Sequence, residues 1–105
     1  MKEITVEKLN QKLKSENIVV IDVREPFEYN ISNIDGWLIP LNEIKERVDE
    51  IEEHKNDEVI VMCRTGGRSA EAVKILESQG FENVKNLKGG INEWAKKIDQ
   101  SLPVY

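Results

Sequence analysis

In 105 residues there is one cysteine, Cys63. An internal disulfide is therefore excluded, no resolving thiol exists within the chain, and a reducing compartment, the cytoplasm, is expected. No apolar run approaches the ~20 residues that a membrane-crossing helix needs, and the opening Met1-Lys2-Glu3 has no secretory apolar segment. No membrane is expected among the partners. Positive charge is not in excess: 15 Lys and Arg face 20 Asp and Glu, for a net charge of -5. Broad, salt-driven binding to nucleic acid is excluded on that ground, although Arg64 and Arg68 could form a local basic patch. The one histidine, His54, lies in the charged turn 52–57 and reads as a solvated surface group. Internal repeats, low-complexity tracts and dividing linkers are missing too, so residues 1–105 are expected to form one domain. A chain of this length can bury roughly two-thirds of its unfolded surface.

What is present alternates between strand and helix signals. Thr5 is placed to cap a helix with Val6, Leu9 and Leu13 on its apolar face, and Ile18-Val19-Val20-Ile21 then reads as a buried strand ending at Asp22. Pro26 opens a short helical turn, a polar loop runs through Asp35-Gly36, and Trp37-Leu38-Ile39 suggests a short strand stopped by Pro40. Leu41, Ile44, Val48 and Ile51 fall at the spacing of a second amphipathic helix. Val59-Ile60-Val61-Met62 is a further buried strand, a helix is expected from Ser69 to near Gly80, and residues 83–87 read as the last strand. Gly89-Gly90 breaks the chain before a helix with Ile91, Trp94, Ala95 and Ile98 inward. The tail Pro103-Val104-Tyr105 is left open between readings. This order argues for an α/β fold with a mostly parallel central sheet flanked by helices.

Ligands of such sheets gather at the carboxyl ends of strands, and Cys63 stands at one of them. The loop Cys63-Arg64-Thr65-Gly66-Gly67-Arg68 leads into the helix, so backbone N–H groups and the positive helix end converge on one spot suited to an anion. With the charge of two arginines added, the thiol is expected to fall from about 8.5 toward neutrality, making Cys63 the candidate nucleophile. Arg64 and Arg68 would attract an anionic substrate, while Gly66 and Gly67 let the backbone curl close to sulfur. Thr65 and Ser69 would add N–H groups and hydroxyls, and Ser69 could cap the helix. Elsewhere, Arg24 and Glu28 are read as a structural ion pair, with Asp22 as a group that could orient the loop from a neighbouring strand end. Trp37 and Trp94 are read as core or groove-lining residues, and Gly89-Gly90 as a requirement of backbone geometry, with shaping of the pocket rim as the second reading. No residue set points to a metal or an organic cofactor.

Three segments together resemble the rhodanese-like domain family. They are Val20-Ile21-Asp22-Val23-Arg24-Glu25-Pro26 with Glu28-Tyr29, the loop from Cys63 to Ser69, and Gly80-Phe81-Glu82-Asn83-Val84 through Leu87-Lys88-Gly89-Gly90 to Trp94. The resemblance implies a small rhodanese-like fold and sulfur transfer through a persulfide on Cys63. The donor would be a small anion such as thiosulfate, and the acceptor a thiol, cyanide or a protein. Ser32-Asn33 stands where many members carry Gly-His, a departure expected to change local packing or the rim of the site rather than the chemistry.

Two other readings use the same loop. One is a sulfur-relay or regulatory binding module with little turnover alone. The other is a cysteine-dependent phosphatase or arsenate reductase, a reading weakened by loop length. The related cell-cycle phosphatases carry one residue more in this loop, and a wider ring suits a tetrahedral oxyanion. Phosphate-ester cleavage also wants a carboxylic acid at the leaving oxygen, for which Asp35 is the one candidate. Sulfite departs without a proton, so sulfur transfer needs no such group.

Overall fold

The computed structural model describes residues 1–15 and 17–103. Val104 and Tyr105 of the tail lie outside the described residues. Five strands, β1 (Glu3–Ile4), β2 (Val19–Asp22), β3 (Trp37–Leu38), β4 (Glu58–Met62) and β5 (Asn83–Leu87), form one sheet in the order β1-β5-β4-β2-β3. Every pair is parallel. The helices are α1 (Val6–Ser15), α2 (Pro26–Ile31), α3 (Ile44–Arg47), α4 (Gly67–Ser78) and α5 (Gly90–Lys97).

Parallel strands covered on both faces read as unbroken apolar runs, and β4 is the clearest case. Val59 and Val61 enter a core with Ile21, Ile44, Ile51, Ala72, Val73 and Leu76, whereas Ile60 and Met62 face the opposite core with Val6, Leu9, Leu87, Ile91 and Trp94. The chain leaves β2 toward β3 but leaves β4 toward β5. Neighbouring strands that send the chain in opposite directions open a crevice at their carboxyl ends, and this one lies between Arg24 and Cys63.

Several expectations are corrected. β1 went unread because two residues carry no periodicity; it is held by Asn86 N–H to the Lys2 carbonyl and Lys88 N–H to the Ile4 carbonyl. The amphipathic segment from Leu41 is three helical pieces: a 3₁₀ turn over Leu41–Glu43, then α3, then a 3₁₀ helix over Val48–His54. The apolar spacing explains this. Leu41 to Ile44 and Val48 to Ile51 are three apart, which suits 3₁₀ winding, and only the step from Ile44 to Val48 is four. Leu13 is exposed, because Lys12 beside it already reaches Glu58 at the amino end of β4, and the helix there has run to the edge of the sheet. Trp94 is buried as expected, but Trp37, on edge strand β3, is partly exposed and packs edge-to-face on His54 with ring centres 6.3 Å apart. His54 is therefore not simply solvated: its Nδ1 also lies 2.9 Å from Asp57 Oδ2.

Leu9 is 0% exposed and Leu13 41%. Leu9→Ala is expected to cost about 2–5 kcal/mol of stability and Leu13→Ala less than about 1 kcal/mol, measured by urea unfolding. Similar losses for both would contradict this placement of α1.

Candidate active site

The end of β4 fixes Cys63 in space. Val59, Ile60, Val61 and Met62 are each fully buried, and Cys63 itself is 1% exposed. Beyond it the chain turns tightly: Gly66 has φ +118°, a left-handed conformation that L side chains rarely adopt, and Ala70 N–H reaches its carbonyl at 3.1 Å to close the first turn of α4. The helix thus begins at Gly67, two residues before the expected Ser69. Arg68 and Ser69 belong to its first turn, and Arg64 and Thr65 lie exposed on the loop. Gly67 has open space where a Cβ would stand, so the tight curl rests on Gly66.

The thiol is surrounded by donors. Gly66 N–H approaches Cys63 Sγ at 3.1 Å, and Ser69 Oγ lies 3.3 Å from it. Burial pushes the Cys63 thiol up, but hydrogen bonding with the Ser69 side chain and with the N–H groups of Ser69, Gly66 and Thr65 outweighs burial and holds it below the ordinary range. The expected N–H groups of the loop and of the first turn of α4 thus favour the thiolate, and of the two arginines Arg68 is the one coupled to the sulfur by charge.

The charged residues pair differently from the expected Arg24–Glu28 bridge. Arg24 is wholly buried and grips Asp22 with Nε and Nη2, at 3.0 Å and 2.8 Å, while its Nη2 also donates to the Ser32 carbonyl at 2.8 Å. Glu28 receives only a long backbone contact from Arg24, 3.4 Å to its carbonyl. Its carboxylate takes Arg68 in a bidentate pair at 2.6 Å and 2.8 Å. The two-residue step from Asp22 to Arg24 lets side chain and strand end fold onto one another, whereas Glu28, on α2, points across the crevice to α4. The Arg68 guanidinium holds the Glu28 carboxyl down at about 2, against the opposing effect of burial, and Glu28 raises Arg68 in return.

Three contributions to the site were missed or only partly read from sequence. Gly90, at φ +60°, sits so close to the loop that a Cβ there would come within 2.4 Å of the Cys63 carbonyl and 2.5 Å of the Arg64 carbonyl. Those carbonyls accept N–H groups from the first turn of α5, Ile91 to Cys63 at 2.9 Å and Asn92 to Arg64 at 3.2 Å. Asn86 of β5 accepts the Ser69 hydroxyl and donates through Nδ2 to the Gly66 carbonyl at 3.1 Å. A polar residue at the inward position two after Val84 was the available signal. Glu28 is the third, visible in sequence but assigned to the wrong arginine. A groove of about 720 Å³ borders the site, lined by Val23, Leu41, Ile75, Glu25, Lys45 and Arg68.

Asp35 does not serve the loop as an acid. It precedes β3, and the register sets Trp37 beside Ile21 and Ile21 beside Val61, so Asp35 lies toward the amino ends of the strands while Cys63 lies beyond their carboxyl ends.

A family model for the rhodanese-like domain matches residues 5–97. The chain is 38% identical over 104 residues to a protein of Allochromatium vinosum named sulfurtransferase, covering 97% of this chain and 92% of that one. It is 38% identical over 99 residues to the putative sulfur carrier protein YrkF of Bacillus subtilis, covering 92% of this chain but 52% of YrkF. Other curated relatives are longer still, and the chain spans 38% and 22% of two of them. The crystal structure of a rhodanese-like domain protein from Staphylococcus aureus superposes with a TM-score of 0.83 at 31% identity, covering 100% of this chain and 99% of that one.

The Glu28 pair gives a signed pH prediction. The folded pKa of about 2 lies below the unfolded value near 4.3, so the stabilisation, roughly 3 kcal/mol, is complete above that value and fades as pH falls toward 2. Glu28→Gln is expected to unfold at lower urea than the wild type at pH 7, with the difference narrowing at pH 3. A gap of constant size across this range would contradict the assignment.

Proposed function

From the premise that this chain belongs to the rhodanese-like domain family, we propose that it is a sulfurtransferase that carries sulfane sulfur as a persulfide on Cys63. The observation that supports this most directly is the convergence of the Gly66, Thr65 and Ser69 N–H groups and the Ser69 side chain on the one thiol of the chain. In the first half-reaction the thiolate attacks the outer sulfur of a donor such as thiosulfate. The S–S bond of the donor breaks, sulfite leaves with the bonding pair, and Cys63 becomes Cys63-S-S⁻. In the second, a thiol, cyanide or a protein acceptor attacks the terminal sulfur and the thiolate returns, giving ping-pong kinetics.

Arg64, Thr65, Gly66, Gly67, Arg68 and Ser69 form the substrate-binding loop in this reading. Gly66 and the N–H groups hold the transferred sulfur, and Arg64 and Arg68 draw in the anion. No metal, organic cofactor or nucleic acid takes part. The whole chain, 1–105, acts as one domain in the cytoplasm, where reduced acceptors are available.

The relatives favour a second reading on a specific ground. Several matched proteins are much longer than this chain, and one is named a putative sulfur carrier. A protein donor or acceptor would then replace thiosulfate or cyanide, and the isolated domain would turn over slowly. The phosphatase alternative keeps only the loop in its favour, since Asp35 is remote.

Intact-protein mass after incubation with thiosulfate tests the proposal. The wild type is expected to gain about 32 Da, to lose it on adding cyanide or dithiothreitol, and to gain nothing as Cys63→Ser. No adduct with thiosulfate but one from a persulfidated protein donor would select the relay reading. Aryl phosphate turnover that is lost in Cys63→Ser would select the phosphatase.

A further inference from the structure

The Ser69 hydroxyl has one hydrogen and three acceptors in reach: Asn86 Oδ1, the Gly66 carbonyl at 3.2 Å and Cys63 Sγ at 3.3 Å. The Gly66 carbonyl can only accept, and it already receives Ala70 N–H and Asn86 Nδ2, each at 3.1 Å. That contact fixes the amide of Asn86 with Nδ2 toward Gly66 and Oδ1 toward Ser69. Oδ1 can also only accept, and Asn86 is buried, so it takes the Ser69 hydrogen. Ser69 Oγ then presents lone pairs to Cys63. This arrangement suits a thiol, whose S–H can donate to Oγ. It opposes a thiolate, which needs the same hydroxyl to turn and donate to sulfur, leaving the buried Oδ1 unpaired.

We propose that Asn86 is a positioning residue that competes with the Cys63 sulfur for the single hydrogen of Ser69 and thereby sets the balance between thiol and thiolate. It deepens the reading of Cys63 as the reacting sulfur and rests on it. The neighbouring charges are accounted for separately. Arg68 of α4 is the cation coupled to the sulfur and is matched by Glu28 of α2; Asp22 at the end of β2 is matched by Arg24; Arg64 stands exposed on the loop. The first turn of α5 turns N–H groups to the carbonyls of Cys63 and Arg64, and β5 offers the neutral Asn86.

The Cys63 midpoint is read in the whole chain from the pH dependence of iodoacetamide alkylation and of thiolate ultraviolet absorbance, which a single cysteine makes specific. Ser69→Ala is expected to raise it by about one unit, and Asn86→Ala to lower it by about half a unit. In Ser69→Ala/Asn86→Ala the Asn86 effect is expected to vanish, because the contested hydrogen is gone. Should Asn86→Ala fail to fold, Asn86→Leu refills the volume and serves in its place. An upward shift, no shift, or a shift that persists without Ser69 would show that Asn86 only braces the Gly66 carbonyl, and would overturn the proposal. Both readouts follow the thiol itself, so a failed persulfide assay leaves the result independent.

Discussion

A guanidinium shut away from water must be neutralised where it stands, and Arg24 is that group here. Removing its partner would leave a buried charge uncompensated, a loss of about 3–5 kcal/mol. Asp22 supplies the charge, and the carbonyls of Ser32 and Glu28 take further guanidinium hydrogens. Those contacts tie the turn after β2 to the middle and the carboxyl end of α2. With α2 fixed, Glu28 faces α4 and can hold Arg68. The position of α4 in turn decides where the N–H groups of its first turn point. A chain of alternating charges therefore runs behind the loop, from strand end to helix to helix.

The consequence is a cradle in which oriented dipoles act directly on the sulfur. Asp22 and Glu28 balance Arg24 and Arg68, while Gly66, Thr65 and Ser69 aim N–H groups at sulfur with no charge of their own. Such donors cost little reorganisation, because the backbone that carries them is already fixed. Their aim depends on the far side of the loop as well. The first turn of α5 holds the carbonyls of Cys63 and Arg64, at a distance only a glycine at position 90 permits. Two helix starts thus grip the loop from opposite directions, α4 through its N–H groups to sulfur and α5 through its N–H groups to the loop carbonyls.

Much of this was legible in residue order. The four-residue apolar run before Cys63, the glycine turn after it and the helix that follows place a thiol at the carboxyl edge of a parallel sheet without reference to tertiary contacts. Thr5 as a cap, confirmed by Lys8 N–H at 3.2 Å to its Oγ1, and the stop of α4 by Gly80 are local signals of the same kind. What stayed hidden depends on distance in sequence. Arg68 and Glu28 are 40 residues apart, and nothing local says that Glu28 serves Arg68 rather than the nearer Arg24. Asn86 and Ser69 are 17 apart on different elements. The two residues of β1 gain strand geometry only from β5. Local patterns report where chemistry can stand, and long-range pairing decides which groups tune it.

Burial of Cys63 adds a constraint on the proposed reaction that charge does not. A persulfide has two electrophilic sulfurs. Attack on the outer one transfers sulfur and restores the thiolate; attack on the inner one expels hydrosulfide and traps the protein as a mixed disulfide. The inner sulfur here is Sγ, 1% exposed and enclosed by Gly66 and Ser69. The outer sulfur would stand about 2 Å farther along the S–S bond. An acceptor that approaches from the crevice meets that atom first, and the same wall of loop and helix that donates hydrogen bonds to Sγ screens it from attack. In a chain with no second cysteine to resolve a mixed disulfide, that screening keeps the cycle open.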